Sequence, residues 1–123
     1  MSKYFTAKEF ASRDGAESPY PEVVSLKLYD LLDRIREEFG KPILVNCGYR
    51  SPEHNAKVGG VKNSYHTLGL AADIRPKDLK DLAELQELAD NMNPCGGVGF
   101  YDTFVHVDVR GKRGRWDERK KRG

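Results

Sequence analysis

FVHVDVR, Phe104 to Arg110, is the stretch on which the fold of this chain turns. Val105, Val107 and Val109 alternate with His106, Asp108 and Arg110. A polarity period of two predicts a β-strand with one apolar face and one polar face. Just upstream, VGFY (Val98–Tyr101) has strand character, and the short break at Asp102 and Thr103 predicts a hairpin. The polar face admits two readings: a built site, or the solvated side of an edge strand.

Working outward, Leu70–Ile74 and Ile43–Val45 read as further strands. Glu22–Phe39 carries Val24, Leu28, Leu31, Leu32 and Ile35 at helical spacing, with Gly40 and Pro42 as its stop. A second amphipathic helix is predicted over Asp78–Asn91. Thr6 to Glu9 has the form of a capping box, with Phe5 and Phe10 as a staple for a short helix ending near Ser12, and NCGYRSPEHN is turn-rich enough to open another brief one. Helices and strands do not alternate regularly, so the class is α+β with a mainly antiparallel sheet and flanking helices rather than a doubly wound sheet.

At 123 residues the chain is one domain with one core. That domain is expected over residues 1–116, with 117–123 as a basic C-terminal tail. The segment GKRGRWDERKKRG sets seven Lys and Arg against Asp117 and Glu118. Such a run reads as solvated and frayed, with attraction to anionic polymers, nucleic acid among them, as its available physics, and with Trp116 packing back on the domain. A composition 38% hydrophobic and 33% charged fits a soluble globular protein, and no apolar run is long enough to span a membrane. Membrane insertion is therefore not expected. MSKYFTAKEF has no apolar stretch after its lysine, so a cleaved secretory signal is not expected either. A net charge of +2 is too small to imply a nucleic-acid partner. Cys47 and Cys95 form no CxxC pair; they read as buried small residues, with a disulfide between them left open.

The chemistry-bearing residues cluster in two places. SYHTLGLAAD, Ser64 to Asp73, separates a histidine from an aspartate by a turn and small side chains, Gly69, Ala71 and Ala72. His66, Asp73 and His106 together make a three-ligand set suited to zinc, with a fourth tetrahedral position left for water. On spacing alone the alternative stands that these histidines are structural or surface residues.

The pattern S-x-H-x-x-G-x-A-x-D at Ser64, His66, Gly69, Ala71 and Asp73, followed by His106, resembles the zinc D-Ala-D-Ala carboxypeptidase and L-Ala-D-Glu endopeptidase family of peptidoglycan peptidases. The resemblance runs from about Phe10 to Trp116 and takes in GYRSPEHN, GGVGFY and FVHVDVR. It implies a hedgehog/DD-peptidase fold, one zinc per chain held by His66, Asp73 and His106, and metal-assisted hydrolysis of a peptidoglycan peptide bond. It also implies that Arg50 grips a substrate carboxylate or peptide oxygen, a task suited to its planar fork; the plain alternative is a surface ion pair. Ser64 either hydrogen-bonds substrate or holds its loop, and His54 reads as a surface histidine.

The expected proton acceptor departs from the family. Related enzymes carry a glutamate or histidine commonly three residues before the last ligand, where this chain has Thr103. Asp108 takes that role first, with a partner that orients a ligand histidine as its other reading, and Asp102 is the alternative base. The leading function is thus a zinc peptidase, carboxypeptidase or endopeptidase, acting as a monomer on peptidoglycan peptides. It would be cytoplasmic until released, or associated with a phage. An inactive zinc-containing wall-binding module and a basic nucleic-acid-binding protein are the competing classes.

Overall fold

The computed structural model describes residues 4–5, 26–47 and 70–120. The expected helix near Thr6–Ser12, residues 22–25 of the next helix, and the GYRSPEHN segment lie outside the described residues. The first described helix, α1, is Leu26–Phe39. It buries Leu28, Leu31, Leu32, Ile35 and Phe39, the apolar stripe that the helical period predicts. Gly40 closes it, donating its N–H to the Arg36 carbonyl at 3.0 Å. Phe5 joins the same core, while the Tyr4 N–H reaches Asp33 Oδ1 at 3.2 Å.

Five strands form one sheet: β1 (Ile43–Cys47), β2 (Ala71–Pro76), β3 (Gly97–Phe100), β4 (Val105–Asp108) and β5 (Gly114–Asp117). Their spatial order is β1-β2-β4-β3-β5. The pairs β1–β2, β2–β4 and β3–β4 are antiparallel. The register of β1 shifts between Val45 and Cys47, a bulge opposite Asp73. After β2, a 3-10 turn at Leu79–Asp81 leads into the second helix, α2, Leu82–Met92. Asp78 caps the turn by accepting the Lys80 N–H at 3.3 Å. Helix α2 thus begins a turn later than the periodicity predicts.

One sheet face, built of Ala72 and Ile74, Val105 and Val107, and Val98, meets Leu85 and Ala89 of α2 and the stripe of α1 in a single core. The opposite face carries the polar residues. Strand β4 is buried on both faces, with His106 8% and Asp108 0% exposed. The reading of its polar side as a solvated edge is therefore overturned. β4 is an interior strand covered on both sides.

The α+β class and a mainly antiparallel sheet are observed; the one parallel pair, β5 on β3, makes the sheet mixed. GRWD lies in a basic run with no apolar alternation, so nothing in its pattern predicts a strand. The expectation of a frayed, solvated stretch is corrected for Gly114–Trp116 alone; residues 117–120 are exposed, and 121–123 lie outside the described residues. Arg115 reaches back to the C-terminal end of α2, where Nε meets Asp90 Oδ1 at 2.6 Å and Nη2 donates to the Asp90 and Asn93 carbonyls at 3.1 and 2.9 Å. Nη1 bonds the Gly96 and Gly114 carbonyls, both at 2.7 Å. Helix α2 has no basic residue in its own last turn, so β5 supplies the cation that its terminal carbonyls and dipole favour. Further on, Arg119 forks onto Asp117 and lies 4.9 Å from the centre of the Phe100 ring, and the Lys120 N–H reaches Asp102 at 3.2 Å.

Cys95 is also corrected. It is a free, exposed thiol rather than a buried small residue or half of a disulfide, because it falls in the short α2–β3 connection at the surface. Cys47 lies in β1, and its side chain is outside the described residues. Among the described residues no helix is long and apolar enough to cross a membrane.

Arg115→Ala removes several charge-assisted bonds at once and leaves carbonyls of α2 uncapped. It is expected to cost roughly 2–3 kcal/mol, read as a lower midpoint in urea unfolding with an unchanged slope.

Candidate metal centre

Antiparallel pairing of β2 with β4 sets Asp73 directly opposite His106. Residues paired in this way point to the same side of a sheet with Cβ atoms about 4.5–5.5 Å apart, so a carboxylate and an imidazole are brought face to face. The Asp73 Oδ1 to His106 Nδ1 distance is 3.0 Å. Asp73 is half-buried and His106 buried.

The far nitrogen of the ring is held from behind. His106 Nε2 lies 2.8 Å from Asp108 Oδ2. Asp108 in turn is gripped by Arg110 through Nε to Oδ1 at 2.8 Å and Nη2 to Oδ2 at 2.7 Å. Backbone N–H groups of Gly97 and Arg110 also donate to Oδ1, at 3.0 and 3.2 Å. Burial by itself pushes the Asp108 carboxyl up, but the bonds from Arg110, His106 and Gly97 outweigh it and hold the carboxyl well below the usual carboxylate range. An ionised carboxylate only accepts, so His106 Nε2 carries the proton that Asp108 receives. Nδ1 is the nitrogen turned toward Asp73.

This arrangement fits half of a zinc site. Two donors bound at about 2.0–2.1 Å to one tetrahedral ion sit about 3.3 Å apart, close to the observed separation of Nδ1 and Oδ1. A ligand histidine whose other nitrogen donates to a carboxylate is a recurring device for fixing the ring beside a metal. Among the described residues no group of three or more His, Cys, Asp or Glu is disposed to hold a metal ion. The third expected donor, His66, lies outside the described residues, as do Arg50, Ser64 and His54. Asp102 is exposed in the β3–β4 turn, its Oδ1 engaged by the Lys120 N–H.

Pattern reading missed how the glycines of GGVGF and the C-terminal strand complete this face. Asp73, His106, Gly99 and Trp116 fall on one register row across β2, β4, β3 and β5. The next row is Ala71, Asp108, Gly97 and Gly114. A Cβ on Gly99 would lie inside the Trp116 indole, and one on Gly97 would collide with the Asp108 carboxylate and the Arg110 guanidinium. The two glycines stand two apart on a strand, hence on one face, and that spacing is the signal that something bulky crosses there. Trp116 packs back on the domain as expected, its Nε1 donating to the Tyr101 hydroxyl at 2.9 Å.

Comparison with known proteins places the chain in a family. The profile of the family described as Peptidase M15 matches residues 3–108. The chain belongs to the peptidase M15 family. Among curated relatives of this M15 chain, the probable peptidoglycan L,D-endopeptidase MepK of Haemophilus influenzae is 42% identical over 74 residues, 54% of this chain and 39% of the relative. The zinc D-Ala-D-Ala carboxypeptidase of Streptomyces albus G is 36% identical over 88 residues, 69% of this chain and 34% of the relative. The chain thus spans between a third and two fifths of the length of these relatives. The M15 match ends at Asp108, so Arg110 and all of β5 lie beyond it.

Gly97→Ala forces a methyl group into the Asp108–Arg110 pair, where neither partner can withdraw without losing the other. A stability loss of about 1–3 kcal/mol or more is expected, seen as a lower thermal midpoint.

Proposed function

We propose that this chain is a zinc-dependent peptidase that hydrolyses peptide bonds in peptidoglycan stem peptides or cross-links, with His66, Asp73 and His106 as the zinc ligands. One observation carries the reading: an Asp–His pair set donor to donor across β2 and β4, with the far nitrogen of His106 fixed by a buried carboxylate. M15 membership and the activities for which the two relatives are named support the substrate class. Zinc, when bound, supplies Lewis acidity toward a peptide carbonyl and brings the pKa of water to about 7.

The protein's own groups divide the remaining work. Asp73 would offer an anionic oxygen and His106 its Nδ1 to the metal, while the bond to Asp108 holds Nε2 and leaves Nδ1 as the nitrogen facing the site. Of the two roles open to Asp108, orienting His106 is the one its surroundings favour. A carboxylate with no exposure and five donors around it has no lone pair left to take a proton from water. We therefore assign proton acceptance to Asp102, which is exposed at the turn leading into β4. Arg50 is proposed to bind a substrate carboxylate or peptide oxygen, with Ser64 assisting.

Purified protein is expected to hold about one zinc per chain, and His66→Ala or His106→Ala to lose both metal and hydrolysis of isolated peptidoglycan followed by mass spectrometry of the products. Full zinc in either variant would remove that residue from the ligand set. Zinc without any released peptide would favour a wall-binding module instead.

Asp102→Asn and Asp108→Asn separate the two carboxylates when metal content and rate are measured on one sample. Asp102→Asn should retain zinc while turnover falls by roughly 10²-fold or more. Asp108→Asn should weaken zinc binding by about 10- to 100-fold.

A further inference from the structure

The row Asp73–His106–Gly99–Trp116 has a gap at Gly99. Adjacent strands lie about 4.8 Å apart, so side chains on β4 and β5, with β3 between them, ordinarily do not touch. Because Gly99 has no side chain, the Trp116 indole leans across β3, and its ring centre comes within 5.0 Å of the His106 ring at an interplanar angle of 51°. Tilted aromatic contacts of this kind are attractive and directional. The indole is itself fixed twice. Its N–H donates to the Tyr101 hydroxyl at 2.9 Å, and the Arg110 guanidinium lies 5.3 Å from its ring centre. That same guanidinium clamps Asp108, which holds His106 Nε2.

The His106 ring is thus bounded on three sides: Asp108 at Nε2, Asp73 at Nδ1, and the indole against the ring itself. A single hydrogen bond at Nε2 fixes one atom and leaves the ring able to swing about that bond. A tilted aromatic ring packed beside it restricts that swing. Resting on the zinc reading above, we propose that Trp116, carried by β5 and tied to the Asp108–Arg110 pair, is a positioning residue that locks the plane of His106 so that Nδ1 stays aimed at the metal. The C-terminal strand is then a working part of the site although it lies outside the family match.

The full chain is tested by zinc titration against a chromophoric chelator, with no substrate present. Trp116→Ala should weaken zinc binding by about 10- to 100-fold, the range for residues that orient a metal ligand, while its circular dichroism stays that of the parent. Trp116→Phe, which restores an aromatic face, should recover most of the affinity. Parental zinc affinity in folded Trp116→Ala overturns the proposal. Should that variant not fold, Trp116→Leu, which fills the space over Gly99 without a ring, decides in the same assay.

A second readout needs no metal. The chain has one tryptophan, so its emission reports on Trp116 alone. In metal-free protein, His106→Ala should change the intensity or wavelength of that emission. Unchanged emission removes the contact and the proposal with it. If the parent chain takes up no zinc yet this emission responds to His106→Ala, the metal reading fails while the packing of Trp116 on His106 stands.

Discussion

A carboxylate with no contact with solvent must be matched by donors, and the polar face of this sheet is organised around meeting that demand for Asp108. Removing one partner of a buried ion pair costs roughly 3–5 kcal/mol because the other is left uncompensated. Arg110 is the partner, and its fork accounts for two of the five donors. Room for that fork comes from Gly97 and Gly114, whose missing side chains leave the guanidinium a shelf above β3 and β5. What the pair does for function is indirect. It keeps a full negative charge behind His106, which makes Nε2 a donor and fixes Nδ1 on the side of Asp73.

The same sheet separates stability from chemistry by its two faces. Leu28, Leu32, Ile35, Leu85, Ile74, Val105 and Val107 fill the helix side, where apolar burial supplies the driving force. The other face carries Asp73, His106, Asp108 and Trp116. Because strand residues alternate, each valine that anchors β4 in the core also fixes the phase of the histidine or aspartate next to it. A one-residue slip would bury the ionisable groups against α2 and expose the valines, so core packing enforces the alignment of the site.

Much of this was legible in FVHVDVR and its neighbours. Alternation defined β4 and its hairpin partner, helical periodicity defined most of α1 and α2, and Leu70–Ile74 read as the strand that carries Asp73. What escaped reading has a common physical origin. β5 is a four-residue strand whose side chains, Arg115 and Trp116, make their contacts through hydrogen bonds and aromatic packing rather than an apolar period. Arg115 in a run of basic residues looks like any solvated arginine until the end of α2 is seen beneath it. The burial of Asp108 was likewise invisible, since only the neighbour on the other side of β3 shows that its polar face is covered. Cys95 was misjudged because composition favours buried thiols, while position in a two-element connection decides exposure.

The β3–β4–β5 segment spans Gly97 to Asp117, and its strands find one another over short sequence separations. Such local pairings close cheaply and form early relative to long-range ones. His106, Asp108, Arg110 and Trp116 all lie within it. Asp73 instead arrives on β2, which must be brought in from more than thirty residues upstream of its β4 partner. The surroundings of the imidazole thus come from local pairings and its carboxylate counterpart from a long-range one, so a metal held by both, as proposed above, would couple the two ends of the chain's pairing.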